Sequence, residues 1–213
     1  MKIGIFGGTL NPIHFGHLRS AEEAREAFSL DKVLFVPAAI PPFRKENVAS
    51  PDHRMEMASI AVEDNPHFGL SDIEVRRGGI SYSIDTVEAL KKEIPDIEAY
   101  FIIGLDAFSE IGSWKEYRRF FSLSNFIIVT RPGYKKGAFG DFLPLEVRND
   151  FCYDSTKGCY THTSGNCFGF LEVTLLDISS TEIRSRLKAG KSVKYLLPEK
   201  VEEYIKINNL YKT

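Results

Sequence analysis

Two histidines stand three residues apart near the start of the chain, in the segment Gly7-Gly8-Thr9-Leu10-Asn11-Pro12-Ile13-His14-Phe15-Gly16-His17. Side chains with this spacing share one face of a helix, so His14 and His17 can act on the same ligand. The two glycines allow a phosphate or a nucleoside to approach the backbone closely. The start of a helix adds amide donors and a partial positive charge. This combination suits the binding of an anion such as a phosphate chain.

On these residues alone, other interpretations stay open. Paired glycines after a strand occur in many tight turns, and two histidines can also bind a metal or lie on a solvated turn. The dinucleotide fingerprint G-x-G-x-x-G and the P-loop pattern ending in Gly-Lys-Ser/Thr are both absent from the sequence.

A second group of polar residues, Ser179-Ser180-Thr181-Glu182-Ile183-Arg184, begins another predicted helix. Ser179 and Glu182 have the spacing of a capping box, which needs no ligand. Three hydroxyl groups at a helix start can also bind a phosphate, together with the backbone amides and the helix dipole. Arg184, one turn further on, can offer several donors to phosphate oxygens. The two interpretations are compatible.

The elements that would position these residues alternate between strand and helix. Continuous apolar runs predict buried strands at residues 3–6, 33–36, 99–103 and 126–129, with weaker signals at 68–73 and 170–176. Apolar residues at helical spacing predict a helix over 15–28, and Ser50-Pro51 begins a helix that runs to about Val62. A third helix is capped by Ser83 or Asp85, and capping-box spacing at 113–116 indicates a short helix. Two further helices are predicted within about 180–188 and after Pro198.

This alternation predicts an α/β protein with a Rossmann-like, doubly wound parallel sheet and helices on both faces. Ligands bind beyond the carboxyl ends of the strands in such sheets, which is where the histidine segment would lie. Residues 133–170 show little periodicity, so we predict one domain over 1–213 with an irregular loop or hairpin insertion at about 133–170.

Charge and composition exclude several classes of protein. A net charge of -2 and a pI near 6.2 leave no basic surface for nucleic acid. No apolar stretch approaches the roughly 20 residues that cross a bilayer, and glycines interrupt the first apolar run too early for a signal peptide. We therefore expect a cytoplasmic protein with no membrane or nucleic-acid partner.

The three cysteines are an odd number in a short stretch, which argues against a disulfide framework. With His162, the residues Cys152, Cys159 and Cys167 could in principle hold a tetrahedral zinc. Their spacing lacks the short Cys-x-x-Cys knuckle, so we predict no protein metal site.

Residues 7–17 resemble the G-G-x-F-x-P-x-H-x-G-H signature of the nucleotidyltransferase superfamily named for its HxGH motif, and depart from it only at Leu10. The segment Ile-Ser-Ser-Thr-x-Ile-Arg at 178–184 resembles the second signature of that superfamily, which binds the ATP triphosphate. Two matching motifs in the right order are more specific than either alone.

Further segments make nearly the whole chain similar to the nicotinate-nucleotide adenylyltransferase family. They are residues 41–45, 53–55, 63–66, 81–86, 102–106 and 130–133, together with Trp114. The resemblance implies transfer of AMP from ATP to nicotinate mononucleotide, giving nicotinate adenine dinucleotide and pyrophosphate. It also implies Mg²⁺ bound through the ATP phosphates, with no metal held by the protein itself.

The resemblance implies three groups of site residues. The catalytic group, which contacts phosphates and stabilises the leaving pyrophosphate, is His14, His17 and Arg184. The ATP-binding group is Gly7, Gly8, Thr9, Gly104, Asp106, Ser179, Ser180 and Thr181, with Asp106 also bordering the mononucleotide. The mononucleotide-binding group is Asn11, Arg44, Thr86, Trp114 and Arg131. Phe43 and Arg44 replace the usual histidine and lysine of the family, which leaves the role of their loop open.

Alternatives remain at this stage. The acceptor could be nicotinamide mononucleotide or phosphopantetheine, as in related enzymes. A nucleotide sensor without catalysis and an RNA-binding fragment are two other classes, although intact motifs and the acidic balance disfavour them. The sequence also leaves open whether the chain forms a homodimer.

Overall fold

A computed structural model describes residues 1–42, 47–130 and 139–212, so the predictions for Arg44 and Arg131 lie outside the described residues. The strands are β1 (Lys2–Gly8), β2 (Lys32–Pro37), β3 (Phe68–Leu70), β4 (Glu98–Gly104), β5 (Asn125–Thr130), β6 (Phe151–Asp154), β7 (Cys159–His162) and β8 (Cys167–Glu172). The α-helices are α1 (Phe15–Ala27), α2 (Pro51–Val62), α3 (Ile73–Arg77), α4 (Ser83–Glu93), α5 (Leu105–Phe108), α6 (Tyr117–Leu123), α7 (Ser180–Lys188) and α8 (Glu199–Ile207). Short 3-10 helices lie at Ile111–Ser113, Phe139–Phe142 and Leu145–Asp150. None of the helices described is both long and apolar enough to span a membrane.

The strands form one sheet in the order β3-β2-β1-β4-β5-β8-β7-β6. Pairing is parallel from β3 through to β8, and the β6 and β7 strands are antiparallel to their neighbours. The chain winds outward in one direction from β1 to β3 and in the other direction from β4 onward. The carboxyl ends of β1 and β4 therefore flank a crevice of the kind that binds ligands in doubly wound sheets.

Apolar side chains cover both faces of the sheet. Ile5 and Phe101 belong to one buried cluster, whereas Phe35 and Ile102 belong to a second cluster on the other face. Successive strand residues point to opposite faces, so two clusters require helices on both sides. This confirms the predicted α/β, doubly wound architecture.

Helix α2 begins as predicted, because the Ser50 side chain accepts a hydrogen bond from the His53 amide and Pro51 occupies the first turn. The predicted cap of α4 is wrong. Its N-cap is Tyr82, without a side-chain hydrogen bond, and Ser83 is already the first helical residue.

The short helix predicted from the capping-box spacing at 113–116 is also wrong. A 3-10 helix ends at Ser113, Glu116 has a left-handed backbone with φ of 49°, and α6 begins only at Tyr117. Trp114, between the two helices, packs against Phe120 and Phe101 in the core. This tertiary packing outweighs the local capping signal.

The sheet extends into the stretch at about 133–170 that was predicted to be an irregular loop or hairpin insertion. Strands β6 and β7 form an antiparallel pair, and β8 pairs with β5 so that Phe168 lies opposite Phe126. The strand signal at 170–176 is therefore displaced, since β8 ends at Glu172 and the following residues form a loop. The weaker strand signal at 68–73 is also too long, because β3 ends at Leu70 and α3 begins at Ile73. The division of the chain into domains stays a prediction.

Cys159 and Cys167 form a disulfide between β7 and β8, with their Cα atoms 6.0 Å apart. The expectation of no disulfide is therefore wrong. The antiparallel pairing of these strands, which the cysteine spacing does not reveal, brings the two thiols together. Because these sulfurs bond to each other, they are not available as zinc ligands. Cys152 remains a free, exposed thiol.

Candidate active site

A cavity of about 810 Å³ lies at the carboxyl ends of β1 and β4. Gly7 and Gly8 form its wall at the end of β1, and Gly104 forms it at the end of β4. The loop after β8 contributes a third side. The volume falls within the range typical of pockets for small molecules and cofactors. The cavity therefore occupies the crevice that the sheet topology predicts.

The histidine pair lies in this cavity wall at the start of α1. His14 is the N-cap residue and His17 is the third residue of the helix, and their rings stack with centroids 3.7 Å apart. The His14 amide donates a hydrogen bond of 3.2 Å to Nδ1 of His17. Since Nδ1 accepts this bond, the neutral His17 ring carries its proton on Nε2. In this tautomer, Nε2–H is the only N–H donor of the His17 ring.

His14 is only 5% exposed, and burial lowers the pKa of its imidazole to about 4. The ring is consequently neutral at pH 7. Its Nδ1 atom is buried without a hydrogen-bond partner among the described residues. Buried polar atoms are nearly always satisfied, so an unsatisfied nitrogen in a cavity wall is suited to meeting a ligand or a bound water.

The lowered pKa of His14 leads to a prediction about stability. The unfolded chain binds a proton at this imidazole below about pH 6.5, whereas the folded chain does so only near pH 4. The free energy of unfolding should therefore fall as the pH decreases between these values, by about 3 kcal/mol from this group. Urea unfolding at both pH values should show a smaller loss for His14→Asn than for the parent. Equal losses would contradict this origin of the pH dependence.

The second motif lies directly against the first. Ser180 Oγ donates a hydrogen bond of 2.9 Å to the carbonyl oxygen of Pro12, and Arg184 Nη1 donates one of 2.8 Å to that of Asn11. These partners are more than 160 residues apart in the sequence. The two motifs therefore lie together at the starts of α1 and α7.

The hydroxyl groups of the second motif also have structural contacts of their own. Ser179 Oγ accepts a hydrogen bond from the Glu182 amide, as the predicted cap requires. Arg184 Nη2 donates to Thr181 Oγ1 at 3.4 Å. Ile178, which precedes these residues, lines the cavity. Contacts of the hydroxyl groups with ATP stay a prediction.

Trp114 also lines the cavity, as does Asp106 at the start of α5. The indole ring lies 6.4 Å from the Phe120 ring in a stacked arrangement and meets Phe101 edge to face. Trp114 is thus a core residue and a cavity residue at once. This placement leaves part of the indole available to an aromatic ligand.

Two residues predicted to bind the mononucleotide, Thr86 and Asn11, do not line the cavity. Thr86 is buried and its hydroxyl donates a hydrogen bond of 2.5 Å to Glu74 Oε1. The Asn11 amide donates to the carbonyl of Asn47 and accepts from the amide of Ala49. These contacts give both side chains a structural role, and ligand binding by either stays a prediction.

Three charged residues of the cavity wall were not predicted from the sequence: Glu74, Glu110 and Lys115. Burial raises the pKa of the Glu74 carboxyl, and the hydrogen bond from Thr86 opposes this shift. Lys115 pairs with Asp85 at 2.8 Å. Glu74 lies on α3, which the sequence analysis did not predict. The helical i,i+3 spacing of Glu74 and Arg77 was the signal that could have located it.

Residues 5–186 match the model of the cytidylyltransferase-like family. The chain is 48% identical over 212 residues to a probable nicotinate-nucleotide adenylyltransferase of Geobacter sp. (strain M21), with 99% of this chain and 98% of the relative covered. The chain belongs to the nicotinate-nucleotide adenylyltransferase family. A second member, from Syntrophotalea carbinolica, is 47% identical over 214 residues, with 100% of this chain and 98% of the relative covered.

Solved structures of similar fold include the nicotinic acid mononucleotide adenylyltransferase of Plasmodium falciparum complexed with NaAD. Its TM-score is 0.74 at 20% identity, with 99% of this chain and 97% of that chain covered. A putative nicotinate-nucleotide adenylyltransferase from Vibrio parahaemolyticus gives a TM-score of 0.66 at 18% identity, with 99% and 95% covered. At these identities the likeness concerns the fold, and it agrees with the doubly wound sheet of this family member.

Proposed function

We propose that the protein transfers AMP from ATP to nicotinate mononucleotide, giving nicotinate adenine dinucleotide and pyrophosphate. The observation that carries the proposal is a single cavity of about 810 Å³ bordered by the stacked histidines and by Trp114. One substrate can place its phosphates at the histidines while the other places its aromatic ring at the indole. Nearly full-length relatives named nicotinate-nucleotide adenylyltransferase support this choice of substrates.

In the proposed reaction, an oxygen of the mononucleotide phosphate forms a bond to the α-phosphorus of ATP. The bond from that phosphorus to the bridging oxygen of the β-phosphate breaks, and pyrophosphate leaves with the electron pair. A phosphate monoester has a second pKa of about 6, so the nucleophile is already an anion at neutral pH. The protein then needs no nucleophile of its own. Its task is to align two anions and to stabilise the charge of the leaving group.

We assign this task to His14, His17 and Arg184, with the glycine amides after β1 and the start of α7 as further donors. The Nε2–H group of His17 can donate to a phosphate oxygen, and Arg184 keeps donors beyond the two that it uses within the protein. Hydrogen bonds from these groups to the phosphate oxygens become stronger as negative charge builds on the leaving pyrophosphate.

Mg²⁺ belongs to the proposal as an ion held by the ATP phosphates and water. Within the described ranges, no three His, Cys, Asp or Glu side chains are grouped as a metal site would require. Bound Mg²⁺ would neutralise part of the charge on the phosphate oxygens.

Parallel assays with ATP and Mg²⁺ test the function, each with one acceptor: nicotinate mononucleotide, nicotinamide mononucleotide or phosphopantetheine. We expect pyrophosphate release to be fastest with nicotinate mononucleotide. Faster release with another acceptor would assign the chain a different substrate. ATP binding without pyrophosphate release from any acceptor would instead indicate a nucleotide sensor.

Trp114→Ala should weaken the binding of nicotinate mononucleotide about 10-fold, because it removes an aromatic face worth roughly 1 kcal/mol or more. ATP binding should change much less. Calorimetry with each substrate separately measures both effects, and Trp114→Phe, which retains a ring, should recover most of the affinity. Equal losses for the two substrates would show that the indole only supports the fold.

Location and assembly are also part of the proposal. We propose a cytoplasmic protein, because its proposed substrate ATP is a cytoplasmic nucleotide. Assembly as a homodimer stays a prediction, which light scattering of the purified protein would test.

A further inference from the structure

The loop at 9–12, between β1 and α1, is held by a buried arginine outside both sequence motifs. Arg54 on α2 is 0% exposed. Its Nη1, Nη2 and Nε atoms donate hydrogen bonds of 2.9, 3.0 and 3.0 Å to the carbonyl oxygens of Thr9, Ala39 and Ala49. Burying a guanidinium is costly unless its donors are satisfied, and here its planar fork joins three separate backbone segments.

A second anchor comes from the C-terminal segment. The hydroxyl of Tyr211 donates a hydrogen bond of 2.6 Å to Oδ1 of Asn11, 200 residues away in the sequence. The same oxygen accepts the amide of Ala49 at 3.0 Å. Ala49 therefore contacts both anchors. Its amide donates to the Asn11 oxygen that also accepts from Tyr211, and its carbonyl oxygen accepts from Arg54.

The loop needs such anchors because its backbone is not locally favoured. Leu10 has φ of 48°, a left-handed conformation that is unusual for a residue with a branched side chain. Conformations of this kind persist only where surrounding contacts determine them, and they cluster at functional sites. Thr9 and His14, on either side of the strained residue, both line the cavity.

We propose that Arg54 and Tyr211 are positioning residues for the nucleotide-binding loop at 9–12, so that the C-terminal segment is part of the active-site framework. The inference rests on the proposed function for its effect on turnover. Neither side chain lines the cavity, so Arg54 acts through the backbone of the loop at Thr9 and Tyr211 acts through the side chain of Asn11. Displacing that loop moves Thr9 and the histidine pair relative to the ATP phosphates.

The decisive variant is Tyr211→Phe, which removes only one hydroxyl group. Loss of one hydrogen bond from the loop should lower kcat/KM for ATP about 10-fold and weaken ATP binding by a similar factor. The KM for nicotinate mononucleotide should change less than the KM for ATP, because Trp114, its proposed aromatic contact, packs against Phe101 and Phe120 and not against the loop. A general loss of stability would not separate the two substrates in this way.

Tyr100→Phe is the matched control. Its hydroxyl donates a hydrogen bond of 2.6 Å to Glu98, at the amino end of β4 and away from the cavity. We expect Tyr100→Phe to lower the melting temperature about as much as Tyr211→Phe while retaining parental affinity for ATP. Equal effects of both variants on ATP binding and kcat/KM would overturn the positioning role.

Two substitutions of Arg54, one conservative and one not, test its role. Arg54→Lys retains the charge but cannot bond three carbonyl groups at once, whereas Arg54→Met removes both properties. Where both variants fold, we expect ATP affinity to fall from parent to lysine to methionine. Calorimetry measures ATP binding without turnover. If the parent binds ATP but transfers no AMP, the proposed function is refuted and the positioning role is not. Parental ATP affinity in Tyr211→Phe would refute the positioning role alone.

Discussion

Replacing His17 by Ala should lower turnover at least about 100-fold, as the loss of one charge-stabilising donor typically does. The His17 ring lies in the cavity wall and its Nδ1 accepts the His14 amide, so Nε2–H is the ring donor that we assign to a phosphate oxygen. That donor gains strength as negative charge builds on the leaving pyrophosphate. The expected loss is therefore mainly in kcat, and it is measured by steady-state release of pyrophosphate.

Two further variants separate the two nitrogens of this ring. His17→Asn keeps an acceptor near the position of Nδ1 and loses the outer donor, whereas His17→Gln places an N–H group near the position of Nε2. We expect glutamine to retain more activity than asparagine. If His17→Ala stays within a few-fold of the parent, the ring has no part in stabilising the leaving group.

The local arrangement of this site could be predicted from the sequence to a useful degree. A buried strand that ends in glycines, followed by apolar residues at helical spacing, is a local pattern, and β1 and α1 formed as predicted. The Ser50 cap is equally local, because donor and acceptor lie three residues apart. The two motifs identify the family because each preserves a whole segment rather than single residues.

The features that were missed depend on contacts between distant segments. Asn11 and Thr86 are polar residues in matching motifs, and a sequence cannot show that Tyr211 and Glu74 already satisfy their side chains. The pairing of β8 with β5 likewise joins distant segments whose register no local pattern specifies, and the disulfide depends on the antiparallel pairing of β7 with β8.

These missed contacts also explain how the site is assembled. The cavity wall has few positive charges among the described residues, and the whole chain is slightly acidic. Binding of two anionic substrates must therefore come from donors held at fixed positions, as a preorganised site provides. The hydrogen bonds from Ser180 and Arg184 to the loop before α1 supply this rigidity.

Arg184→Met should lower kcat/KM for ATP by roughly 100-fold, because it removes both a proposed phosphate donor and a link between the motifs. Arg184 Nη1 bonds the carbonyl of Asn11 and Nη2 bonds Thr181, so the guanidinium is held beside the loop before it meets a ligand. Arg184→Lys should be intermediate, since an ammonium group keeps the charge without the fork. Steady-state kinetics with ATP varied at saturating acceptor measures the effect.

Arg186, on the same helix, provides the matched control. Its Nε donates to the carbonyl of Ser192 at 2.9 Å, and Nη1 lies 3.7 Å from Glu182 at the surface. Because exposed ion pairs contribute little, Arg186→Met should stay within about two-fold of the parent. Inhibition by pyrophosphate should weaken in Arg184→Met and not in Arg186→Met. If the two variants behave alike, the second motif acts only as a helix start, and other residues must bind the triphosphate.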